Sequence, residues 1–165
     1  MKKRCLIVVA VFALIAGFYG WAGAQMATKQ DVMTMVEKAG KLIEEKGDAA
    51  LAAISDPKGE FIDRKRALYV FVYDKNIVVL AHPYRHELIG QCLKGKPDDE
   101  GRMFRDEIVN KALTKGSGWT EYVYQLPPEV GGKVDQITYR KYSYGKLFTH
   151  GNKKYIVCSG TYEYE

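Results

Sequence analysis

The chain has 165 residues, with 25 Lys or Arg against 20 Asp or Glu, and 47% of it is hydrophobic. That length sets a prior of one domain, and the hydrophobic fraction excludes an intrinsically disordered chain. The basic excess of 5 is uneven: Lys2, Lys3 and Arg4 open the sequence, so the remainder carries an excess of only 2, which gives no case for a nucleic-acid partner.

The opening segment comes first in chain order. After the three basic residues, Cys5 to Ala24 carries no charge and ends in Ala22-Gly23-Ala24. A basic start, an apolar run and a small-residue A-x-A end form the pattern of a secretory signal peptide. Residues 1–24 are therefore expected to be a signal peptide cleaved after Ala24, with residues 25–165 forming the domain. The alternative is a retained anchor, because 20 uncharged residues can cross a bilayer. Either way the domain is expected to be periplasmic or secreted, touching a membrane only if the segment stays uncleaved. No second long apolar run follows, which excludes a multi-pass membrane protein. Beyond Cys5 only Cys92 and Cys158 remain. An oxidising compartment permits one disulfide between them, and two separate buried thiols are the other possibility. No C-x-x-C or C-x-x-C-H occurs, so a thioredoxin-like redox site and c-type haem attachment lack their minimum sequence.

Gln30 to Lys46 is predicted as an amphipathic helix, with Val32, Met35, Val36, Ala39, Leu42 and Ile43 at helical spacing. Thr28 with Asp31 resembles a capping box, and Gly47 is a stop. Asp48 is expected to cap a short helix over Ala49 to Ile54, and Asp56-Pro57-Lys58-Gly59 is a turn. Leu68 to Val72 and Ile77 to Leu80 are predicted as a β-hairpin closed at Asp74-Lys75-Asn76, with Asn76 at positive φ. Pro83 stops the second strand, His86 to Gly90 suits one helical turn, and Leu93 to Gly101 is a polar loop. Met103 to Lys115 is a further helix with Phe104, Ile108 and Ala112 on one face. Three strands complete the chain: Trp119 to Gln125, Gln136 to Tyr144 and Lys154 to Tyr162. Pro127-Pro128 with Gly131-Gly132 turns the first pair and Gly151-Asn152 the second. Helices combined with a five-stranded antiparallel sheet give an α+β domain.

Taken in order, certain segments match a known pattern. They are Leu68-Tyr69-Val70-Phe71-Val72-Tyr73-Asp74, Val79-Leu80-Ala81-His82-Pro83, Glu87-Leu88-Ile89-Gly90 and Asp99-Glu100-Gly101-Arg102-Met103-Phe104. Gly116-Ser117-Gly118-Trp119 with Tyr122 follows, and then Tyr155-Ile156-Val157-Cys158-Ser159-Gly160-Thr161-Tyr162. At these spacings the chain resembles the single Cache domain of extracytoplasmic sensors. The resemblance implies a PAS-like fold: a long N-terminal helix packed on a five-stranded antiparallel sheet, with a ligand pocket between sheet and connecting helices. It also implies an exported sensor of a small metabolite, such as a short carboxylate, an amino acid or an amine. Such a domain serves signal transduction of the chemotaxis type, with a membrane receptor or sensor kinase as partner. A common Pro-Lys pair of the family stands here as Asp135-Gln136, which removes one cation from the expected pocket. The chain stops at Glu165, as a free-standing exported version of the domain would.

For the pocket, strand alternation puts Tyr139 and Lys141 on one face, and Tyr122 with Tyr124 likewise. Tyr122, Tyr139 and Lys141 are expected around an anionic or zwitterionic ligand. Lys141, if turned inward, holds a carboxylate; if outward, it is an ordinary solvated lysine. His82 belongs at the rim, either as a donor to the ligand or as a structural histidine bonding the next loop. Trp119 is expected to lid the pocket or to pack. Arg85, Arg102 and Arg105 are further cations near the loop. The histidines 82, 86 and 150 are too scattered for a zinc site, and no metal or cofactor is expected. No G-x-S-x-G, H-E-x-x-H or P-loop occurs, so the chain is read as a non-enzyme. The rival function is a protein–protein module that keeps the fold with a degenerate pocket.

Overall fold

The computed structural model describes residues 26–127 and 137–163. Helix α1 spans Lys29–Lys46 and begins with the expected cap. The Asp31 N–H donates to Thr28 Oγ1 at 3.1 Å and the Thr28 N–H donates to Asp31 Oδ2 at 2.9 Å, so two amides without helical partners satisfy one another's residues. Gly47 ends the helix at φ 57°. Helix α2, Ala50–Ser55, follows through a 3-10 turn rather than through an Asp48 cap. Ala49 already has right-handed helical angles, and the Asp48 carboxylate accepts instead from Lys153 Nζ at 2.7 Å and Tyr155 Oη at 2.9 Å.

Six strands follow: β1 Ile62–Asp63, β2 Leu68–Tyr73, β3 Val79–Ala81, β4 Ser117–Gln125, β5 Thr138–His150 and β6 Lys153–Tyr162. They form one antiparallel sheet in the order β2-β6-β5-β4, with β1 and β3 both paired to β2. The five expected strands are present, and β1 adds a sixth that is only two residues long, too short to leave a sequence pattern. β5 runs on to His150 rather than stopping at Tyr144, because its register with β6 continues unbroken to the His150–Lys153 pair. In the β2–β3 hairpin the positive φ falls on Ile77 (67°), not Asn76. The Asp74 carboxylate accepts from the N–H groups of Asn76 and Val78, both at 2.8 Å, and burial of the Ile77 side chain offsets its unfavourable backbone angles. Most of the turn after β4, with Asp135-Gln136, lies outside the described residues.

The sheet separates two cores. All six residues of β2 are buried, which a strand covered on both faces requires. Leu68, Val70 and Val72 face α1, where they meet Val32, Val36, Ala39 and Ile43. Tyr69, Phe71 and Tyr73 face helix α3, Phe104–Lys115, with its Phe104, Ile108 and Ala112. Each large aliphatic residue so buried contributes roughly 1.5–3 kcal/mol. On the α1 side the far end of the Phe148 ring meets the helix at Gly40, where a Cβ would come within 2.1 Å of it. Among the described residues no helix is long and apolar enough to cross a membrane.

Candidate functional site

The α3 face carries the chemistry. Lys141 on β5 is paired with Tyr122 of β4 on one side and Tyr162 of β6 on the other, so all three side chains leave the same face. Lys141 is only 1% exposed. Its stem crosses β6 above Gly160, where an added Cβ would lie 2.9 Å from Lys141 Cε and 2.4 Å from Ser143 Oγ. The missing side chain lets Nζ reach β2 and donate to Tyr69 Oη at 2.7 Å. The ammonium also stands 4.3 Å from the Tyr69 ring, 4.9 Å from Tyr162, 5.2 Å from Tyr124 and 5.4 Å from Phe71. Such an aromatic cage stabilises a desolvated cation by about 2 kcal/mol, against a larger cost of burying it unpaired. Burial dominates and pushes the Lys141 amine down to about 7, with nearby Arg105 adding to the shift and Cys158 opposing it.

Around Nζ the lining groups leave a cavity of about 10 Å³, room for about one water without movement. The wall includes Tyr69, Phe71 and Tyr73 of β2, Tyr122 and Tyr124 of β4, and His82 after β3. Phe104 and Arg105 at the start of α3 close it. Phe104 stacks on Tyr122 at 3.8 Å between ring centroids, and the Arg105 guanidinium lies 4.1 Å from the Phe104 ring. Arg105 Nη1 donates to Lys96 O at 3.2 Å, while its buried Nε has no hydrogen-bond partner among the described residues. Phe104, Arg105 and Tyr124 also line an outer cleft of about 150 Å³, which places them between cavity and solvent.

His82 stands in the wall and bonds the loop that follows it, the structural alternative foreseen for it. Its Nδ1 accepts the backbone N–H groups of Tyr84 and Arg85 at 3.2 and 3.1 Å, which shapes the loop after β3. That leaves the proton on Nε2, so the neutral ring presents a donor. Burial first, and then the charge of Lys141, push its pKa down to about 3. Tyr122 Oη and Ser143 Oγ share a hydrogen bond of 2.9 Å beside the cavity.

Of the six residues singled out from sequence, the structure brings Lys141, Tyr122, Tyr124 and His82 into one wall. Tyr139 shares their face but is half-buried and outside the wall, lying opposite Tyr124 and roughly 7 Å back along β5. Trp119 is a correction: strand parity sends it to the other face, where it packs 5.3 Å from Tyr144 under Lys29. Cys92 and Cys158 are both free, one exposed beside β3 and the other buried on β6. His86 bonds Ser55 O and His150 bonds Glu44 O, and neither lines this wall. The alternation of Tyr69, Phe71 and Tyr73 pointed to a tyrosine-lined face but not to Tyr69 as the partner of Lys141; Gly160 was not singled out, and Arg105 had the same standing as Arg85 and Arg102. Adjacency to Phe104, on the helix face already predicted as buried, was the available signal for Arg105.

A profile of the Cache domain matches residues 61–165. No curated protein matches the chain. Among solved structures, one described as a periplasmic sensor domain of a chemotaxis protein is 25% identical with a TM-score of 0.65, covering 81% of this chain and 93% of that one. A second comes from work titled a structural basis for carboxylic acid recognition by a Cache chemosensory domain; it is 26% identical with a TM-score of 0.63, over 81% and 91% of the two chains. A methyl-accepting chemotaxis protein from Vibrio parahaemolyticus, 17% identical with a TM-score of 0.61 over 81% and 87%, shares the fold. With a profile match over more than half its length, on a sheet with α1 against one face and α3 against the other, the chain belongs to the Cache domain family.

Proposed function

We propose that this domain senses a small monocarboxylate held between Lys141 and Arg105. One observation carries the reading: among the described residues the cavity wall contains two cationic side chains and no Asp or Glu. A carboxylate supplies the counter-charge that a buried ammonium needs, and it gives the unpartnered Arg105 Nε an acceptor. The His82 Nε2–H and the phenols of Tyr69 and Tyr122 are further donors within the same wall. Amine ligands are disfavoured, because the chain's own ammonium already fills the aromatic cage. The similarity to a carboxylic-acid-recognising Cache domain supports the same class. The tight cavity calls for a ligand of two or three carbons and some outward movement of Tyr124 and Arg105. The domain is proposed to be exported, cleaved after Ala24, and to pass its bound state to a membrane receptor or sensor kinase. Gln25 as the N-terminal residue of the exported protein, read by mass spectrometry, is the expected result; intact precursor in washed membranes would replace cleavage with anchoring.

The small free volume favours a second reading, a protein-binding module whose pocket has closed. Calorimetry with acetate and propionate separates the two. Binding to the wild type, weakened in Lys141→Met by about 1.5–3 kcal/mol, the range for hydrogen bonds to charged groups, is the expected outcome. No heat with either acid, or equal affinity in both proteins, favours the closed-pocket module.

A further inference from the structure

Resting on the carboxylate reading, we infer that carboxylate binding is linked to protonation of Lys141, so that occupancy follows ligand and proton concentration together. The geometry sets this up. Lys141 Nζ is sealed from water, and its hydrogen bond goes to the neutral Tyr69 hydroxyl. Among the described residues no acidic side chain lines the cavity to hold the charge before the ligand arrives. An ammonium in that position is costly alone and favourable beside a carboxylate, so the ligand brings the charge with it.

The groups facing Nζ from every packed element leave Lys141 as the one that responds near neutrality. From β2 come Tyr69 and Tyr73, from β4 Tyr122 and Tyr124, from β6 Cys158 and Tyr162, from the loop after β3 His82, and from α3 Arg105. Burial pushes the Tyr69, Tyr73, Tyr122 and Tyr162 phenols and the Cys158 thiol up, which keeps them neutral. His82 is pushed down to about 3 and stays neutral too. Lys141, pushed down to about 7 in the free protein, is half-charged where the others are fixed. A bound carboxylate raises its pKa, so between the free and bound values binding draws in a proton. Below about 7 the amine is already charged and affinity is flat; above it, affinity falls about tenfold per pH unit until the bound-state pKa is reached.

The test is isothermal calorimetry of the domain with acetate from about pH 6 to about pH 9, each pH in two buffers of different ionisation heat. Uptake of about one proton at the alkaline end, vanishing at the acid end, is the expected result. Lys141→Arg, whose guanidinium does not titrate, should keep binding and flatten the profile. Acetate affinity that is flat in the wild type, with no proton taken up, overturns the inference and leaves the carboxylate pocket standing. Absence of acetate binding at every pH removes the pocket reading and the inference with it. Heteronuclear NMR of the Lys141 Nζ in the ligand-free protein is an independent check: titration near the ordinary lysine value of about 10.4 also overturns the inference.

Discussion

Gly160 faces Ser143 across the β5–β6 pair, and the Lys141 stem passes over it. A methyl group there would lie 2.4 Å from Ser143 Oγ, 2.8 Å from Tyr142 O and 2.9 Å from Lys141 Cε. Side chains can retreat, but the Tyr142 carbonyl belongs to the sheet ladder and cannot move without breaking register. Gly160→Ala is therefore expected to cost roughly 1–3 kcal/mol, the range for overpacking, in urea denaturation. It should also weaken acetate binding, because displacing Lys141 Cε moves Nζ from Tyr69. Unchanged stability with unchanged binding would show that the glycine clears no path for the lysine. Alternation along one strand was enough to put Lys141 and Tyr122 on a common face. It could not show that Tyr69, 72 residues away in sequence, takes the hydrogen bond, because that contact depends on the order in which strands pair.

The secondary-structure elements differ in how much of their cause is local. α1 is a local structure: its cap is two residues three apart, and its buried face follows the helical period. Its ends and its core-facing residues were accordingly legible, as were α3 and the β2–β3 hairpin. β5 is the opposite case. Beyond Tyr144 its sequence, Gly145-Lys146-Leu147-Phe148-Thr149-His150, has no strong strand signal, yet it is strand because β6 offers a matched partner to each of these six residues. Pairing overrides propensity wherever a partner of full length lies alongside. The wall of the site follows the same division: Tyr122 and Tyr124 sit on a predicted strand, while Arg105 reaches the cavity only because α3 is laid across the sheet. The α1 cap gives the element-scale prediction. Thr28→Ala removes the acceptor for the Asp31 N–H and should cost about 1 kcal/mol of stability. Chemical denaturation measures it; a change within error would mean that packing of α1 on the sheet makes the cap redundant.

At the scale of the whole molecule, the sheet divides two cores of different character. The α1 side is a continuous apolar cluster of valine, isoleucine, alanine and ring carbons. The α3 side holds the buried lysine, the neutral histidine, the enclosed phenols and the cavity. Polar groups packed around unfilled space are held less firmly than an apolar jigsaw, because each side chain has alternatives once a partner or water enters. Ligand binding should therefore tighten one layer and leave the other as it was. A ligand at 100 times its Kd adds about 2.7 kcal/mol to global stability, which raises protection of amides that exchange only by global unfolding. Superimposed on that, the first turns of α3, the loop Leu93 to Gly101 and the segment after His82 should gain protection at short exchange times, when only local opening is sampled. α1 should not change at those times, since it packs on the opposite face of the sheet from the cavity. Hydrogen exchange with mass spectrometry, with and without saturating acetate, reads both layers in one experiment. Early protection confined to the α3 side is the expected pattern. Equal early protection on α1 would mean that the sheet transmits binding as a rigid unit, and the division of the molecule into a structural and a responsive layer would fail.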